Sequence, residues 1–253
     1  MTGQSALSMP MTALCLIIAF GTPIYFFFRH IYNKPHLIAL FMVSSITSLL
    51  GFFVVSLFWK LLETVITIGF MALIGSLLQE CCRFLFIRCI YRKLESTYLR
   101  SIVSAGIRGK TLDFRLDDVG SSLAAGIGFG FMKSLMIFGN TLSVHLSSSS
   151  VDADQTILVP ELIGLASISL SYFLLDLVLM PTSFAAEKRN NFKLVVTVIS
   201  LRLSATACMF FSGLQNGQFI SLGGIFLIFC ASTIIYRRVL PSAASDSSLW
   251  SLI

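Results

Sequence analysis

Glu80, Arg83, Lys133, Asp176 and Arg202 fall within or at the edges of long apolar runs. A charge at such a position is costly in a bilayer and usually marks pairing or function. Asp176 lies about seven residues before the expected end of one run, roughly 10 Å deep at the helical rise. Arg202 lies about nine residues into the next run from the same side, or roughly 14 Å. A short connection makes the two helices antiparallel neighbours, so Asp176 and Arg202 are expected to form a buried ion pair. Glu80 and Arg83 are three residues apart on one helix face and suit an interfacial pair.

These groups make poor catalysts. An aspartyl mechanism needs two carboxylates sharing a site, and Asp176 is a single mid-membrane candidate with Arg202 beside it. The three histidines, His30, His36 and His145, all lie away from mid-span, and no H-E-x-x-H segment or serine with a base partner occurs. No catalytic residue, metal site or cofactor is expected. The six cysteines lie in or beside apolar runs, with no pair in a loop on the weakly charged side, so a disulfide framework is not expected. They read as small packing residues, with lipidation of Cys81, Cys82 or Cys89 as the alternative.

A second pattern concerns packing. Ser122, Gly126, Gly130 and Ser134 recur every four residues, so small side chains line one helix face and admit another backbone closely. Lys133 and Asn140 follow Gly126 by seven and fourteen residues and fall near the same face. The stripe is expected to be a helix-packing or assembly surface, and the partner helix could be internal or belong to another chain. The run Gly126-Ile-Gly-Phe-Gly130 has no strand before it, which argues against a phosphate loop.

The elements that position these residues follow from composition. The chain has 253 residues, 56% of them hydrophobic and 12% charged, with mean hydropathy +0.88; soluble domains carry about 25% charged residues. A spanning helix needs about 20 mainly apolar residues, and such runs occur at about 11–28, 37–59, 64–86, 119–143, 156–182, 192–213 and 217–236. Backbone groups in lipid must be satisfied within the segment, which predicts an all-α bundle of seven transmembrane helices. The third is expected to continue to about Leu94. Residues 1–240 form a single domain on this reading, and the Ser-rich stretch 241–253 a mobile tail. Residues 1–10 lack Lys and Arg, so a cleavable signal peptide is not expected.

Orientation follows from the basic residues. Loops on one side and the segment 237–238 hold fifteen Lys and Arg, whereas the opposite side has Lys60 alone. The richer side is expected to be cytoplasmic, with the amino end outside and the carboxyl end inside. The net charge of +6 is thereby a topology signal and a contact with anionic membrane lipids, and nucleic-acid binding is not expected.

Several segments in order resemble the anterior-pharynx-defective family, the scaffold subunit of γ-secretase. They are Ala19-Phe-Gly21 with Pro23, Pro35, Ser56-Leu-Phe-Trp59, and Leu77-Leu-Gln-Glu80 with Arg83-Phe84. They continue with Gly126, Gly130, Ser134 and Asn140, and with Glu187-Lys-Arg189. The resemblance covers about residues 12–238. The family typically has Gly at Ser134 and histidines at Leu175 and Leu201, each one residue before Asp176 and Arg202. An Asp–Arg pair is expected to replace that histidine link. The resemblance implies a non-catalytic subunit that holds presenilin, nicastrin and the presenilin enhancer subunit and supports cleavage of type I membrane proteins such as Notch. It also implies residence in the endoplasmic reticulum, Golgi and plasma membrane. The alternatives are a seven-helix receptor, for which the D-R-Y and N-P-x-x-Y segments are missing, and a small transporter or channel using Lys133, Asp176 and Arg202.

Overall fold

The computed structural model describes residues 5–62, 68–97, 118–148, 155–211 and 217–239. The described residues are helical and contain seven helices long and apolar enough to cross a membrane, with no strand among them. They are α1 (Ser5–His30), α2 (Pro35–Leu62), α3 (Ile68–Leu85), α4 (Asp118–Ser148), α5 (Gln155–Lys188), α6 (Phe192–Phe210) and α7 (Gly217–Val239). The third span continues beyond α3 through a π-helical segment, Phe86–Tyr91, and a last helical stretch to residue 97. The expected tail at 241–253 lies outside the described residues, as does most of the basic connection between the third and fourth spans.

Five helices close a ring. α2 packs on both α3 and α4, α4 on α5, α5 on α6, and α6 returns to α3. α1 lies outside it against α4 and α5, and α7 lies outside against α5 and α6. Burial follows this arrangement: 61% of the α5 window and 56% of the α4 window are buried, against 17% for each of α1, α6 and α7. The lightly buried helices carry exposed large apolar side chains such as Ile17, Phe219 and Leu227, as helices bordering lipid must.

α5 departs from the expected span. It was expected to end near residue 182, but it runs on through Pro181 to Lys188. Proline removes one backbone donor, and transmembrane helices tolerate this where nearby hydroxyls re-satisfy the freed carbonyls. The carbonyl left without its donor here is that of Leu177, and the hydroxyls just beyond bond to the next two: Thr182 Oγ1 donates to the carbonyl of Val178 at 2.9 Å and Ser183 Oγ to that of Leu179 at 2.8 Å. Asp176 therefore lies twelve residues, roughly 18 Å, from the helix end, deeper than expected.

The corner from α5 to α6 is made by two asparagines. Asn190 takes the left-handed conformation with φ 49°, which asparagine tolerates better than most residues. The Asn191 side chain then caps α6, accepting from the Lys193 N–H at 3.1 Å. Replacing Asn191 with Ala is expected to lower stability by about 1 kcal/mol through loss of this cap; thermal unfolding in detergent measures it.

Candidate functional site

The interior of the ring holds four charges in one group. Glu80 and Arg83 come from α3, Asp176 from α5 and Arg202 from α6, and each is at most 4% exposed. Arg83 Nη1 donates to Glu80 Oε1 at 3.1 Å, and Arg83 Nη2 to Asp176 Oδ1 at 3.2 Å. Arg202 Nη1 donates to the same Asp176 oxygen, and Arg202 Nε lies 3.0 Å from Glu80 Oε1. Each carboxylate thus meets both arginines, and each arginine meets both carboxylates. The group is neutral, which reduces the cost of holding four charges away from water.

This differs from two separate pairs. The structure places Asp176 against Arg202 and Glu80 against Arg83, and it also joins the pairs across α3, α5 and α6. The π-helical segment follows directly on α3, and its Arg88 and the subsequent Arg92 reach Glu187 at the end of α5, at 3.8 and 3.4 Å. α3 and α5 are therefore tied twice, once at the ring centre and once at the basic end. Higher in the ring, the Ser76 and Thr206 hydroxyls meet at 2.9 Å and join α3 to α6.

The small-residue stripe lies within the chain, and α5 occupies it. A side chain added at Gly126 would meet Met180 Cβ at 3.1 Å and the Asp176 carbonyl oxygen at 3.3 Å, and one at Gly130 would meet Phe173 Cδ2 at 2.8 Å. Ser134 and Ser169 exchange hydroxyl-to-carbonyl bonds across the same contact, at 3.2 and 3.3 Å. Ser122 is buried and donates to its own helix at the Val119 carbonyl, at 2.9 Å. The glycines thus let α4 and α5 approach closely, and they set the position of Asp176, whose backbone and Cβ lie against them.

Two members of the expected stripe behave differently. Lys133 turns its ammonium over the Tyr172 ring, 4.4 Å from the centroid, a geometry that attracts a cation to the ring face. Asn140 is exposed and stands apart from the group. A seven-residue repeat drifts by about 20° per heptad on a straight helix, and two heptads carry Asn140 off the face that Gly126 presents. Lys133 also lines a cleft that Asp176 and Arg202 do not. It shares this cleft with Ser48, Gln79 and Arg83, whereas Asp176 and Arg202 are 1% and 2% exposed.

The middle glycine of the run has a separate role. A Cβ on Gly128 would clash with Ser44 Oγ and lie 2.7 Å from the Phe41 carbonyl oxygen, both on α2. Two residues along a helix is about 200°, so Gly128 faces away from Gly126 and Gly130. α4 is thus slim on two sides and fits between α5 and α2. The spacing Gly-x-Gly-x-Gly held this signal, although nothing local in the sequence named α2 as the second neighbour. Cys81 and Cys89 are exposed rather than packed.

A family model described as Aph-1 protein matches residues 11–241. No curated protein matches the chain.

Proposed function

This chain belongs to the Aph-1 family, a component of γ-secretase, and we propose that it acts there as a non-catalytic scaffold. In this reading it holds presenilin, nicastrin and the presenilin enhancer subunit together and supports cleavage of type I membrane proteins such as Notch. The family match over nearly the whole chain carries the reading. The buried charges support it. Both carboxylates of the group are clamped between guanidinium groups, whereas aspartyl chemistry needs two carboxylates sharing a proton. Side chains used in this way fix helices relative to one another. An amino end outside and a carboxyl end in the cytoplasm fit the distribution of Lys and Arg, and residence in the endoplasmic reticulum, Golgi and plasma membrane follows from the same assignment.

Co-purification in a mild detergent tests the proposal. The tagged chain is expected to bring presenilin with it in a complex much larger than the 27.8 kDa of the chain alone. A stable monomer that carries no presenilin would contradict it.

A further inference from the structure

We propose that the cleft beside the four charges binds one small monovalent anion of about the size of chloride. The cleft lies between α2, α3 and α4, and its charged lining groups are Arg83 and Lys133, both cationic. Ser48 and Gln79 add a hydroxyl and an amide, which can donate to an anion. Neither Glu80 nor Asp176 lines it.

The charge balance points the same way. Glu80, Asp176, Arg83 and Arg202 cancel, and a protonated Lys133, which borders the cleft with Arg83, adds one positive charge. No carboxylate among the described residues comes within ion-pair distance of the Lys133 ammonium, and both carboxylates are already held by arginines. Lys133 stands one helical turn from Phe129, whose ring lies 5.0 Å from the Arg83 guanidinium. The Lys133 ammonium lies over the Tyr172 ring, 4.4 Å from its centroid, and the residue also borders the cleft. Arg83 is 4% exposed, and its Nε–H has no hydrogen-bond partner among the described residues. Two basic residues, one of them buried with a spare donor, thus border a space that Ser48 and Gln79 also line.

Depth selects the type of anion. Lys133 is seven residues from the end of its span at Asn140, or roughly 10 Å from that end. An unmatched charge at that depth is costly, and one monovalent anion restores neutrality where a dianion would overshoot. The proposal concerns this chain's own stability and does not depend on the scaffold role.

The test is thermal unfolding of the full chain in mild detergent, with any partner subunits that co-purify. Chloride is titrated against gluconate at constant ionic strength. Melting is expected to rise with chloride and saturate, and bromide is expected to act similarly. Lys133→Gln is expected to raise the half-saturating chloride by about tenfold or more, the loss of a charge-assisted hydrogen bond. Ser48→Ala, a lighter change that keeps the protein testable should Lys133→Gln fold poorly, is expected to raise it by about threefold, within the range for a neutral hydrogen bond. Equal melting in chloride and gluconate would overturn the proposal, and so would a chloride effect unchanged by Ser48→Ala and by any folded Lys133→Gln.

Discussion

Asp176→Asn is expected to lower stability by about 3–5 kcal/mol, the cost of breaking a buried ion pair by removing one partner. One oxygen of Asp176 receives donors from both Arg83 and Arg202, so the substitution weakens two contacts on two different helices. Glu80 then remains as the single carboxylate among Arg83, Arg202 and Lys133, and the buried excess of positive charge doubles. Glu80→Gln is expected to cost a similar amount, because its Oε1 also lies against both arginines. Melting temperature in detergent and the recovery of monodisperse protein measure both changes. The linked arrangement also decides what a charge reversal does. In an isolated Asp176–Arg202 pair, Asp176→Arg combined with Arg202→Asp would restore the interaction. Here that exchange sets an arginine beside Arg83 and an aspartate beside Glu80, so it is expected to fold no better than either single change.

Gly128→Ala is the second large effect, expected at about 1–3 kcal/mol, as for overpacking in a filled interior. The added methyl group would strike Ser44 Oγ, which can rotate, and would stand 2.7 Å from the Phe41 carbonyl oxygen, which is backbone and cannot. α2 must move away from α4 to admit it. That movement carries Ser45, whose hydroxyl reaches the Gly128 carbonyl at 3.4 Å. Gly139→Ala serves as the control, because a Cβ there meets nothing within 4 Å. It is expected to be neutral or to stabilise the helix by up to about 1 kcal/mol. Unfolding curves of the two variants side by side separate crowding from the general effect of replacing glycine in a helix.

Much of the bundle is legible in the sequence. Apolar run length and basic punctuation mark the spans, because lipid leaves the backbone no other economical arrangement. The Asp176–Arg202 contact was legible because a short connection leaves α5 and α6 little freedom but to run side by side. The participation of Glu80 and Arg83 was not. α3 is joined to α4 by a long connection and to α2 by a short one, whose length makes the two helices neighbours without fixing which residues face inward, so its approach to α5 and α6 is decided by tertiary packing. The depth of Asp176 was misjudged because the apolar run was expected to end near residue 182, whereas α5 continues to Lys188. The partner of the small-residue stripe was open for a related reason. Four-residue spacing says that a backbone can approach, and not whose backbone it is. The arrangement found here, with α5 in that stripe and α2 on the opposite side, leaves α4 largely enclosed by its own chain.

These relations meet in one claim: Glu80, Arg83, Asp176 and Arg202 act as a single lock that holds α3 to α5 and α6, and so fixes the shape of the bundle. A double-mutant cycle between Arg83→Gln and Asp176→Asn tests it most directly, because these residues would belong to different pairs if the lock were two independent bridges. The double variant removes one charge of each sign and leaves Glu80 facing Arg202, whose Nε lies 3.0 Å away. It is expected to be more stable than the sum of the single losses predicts, by about 1 kcal/mol or more. Strictly additive losses would contradict the lock.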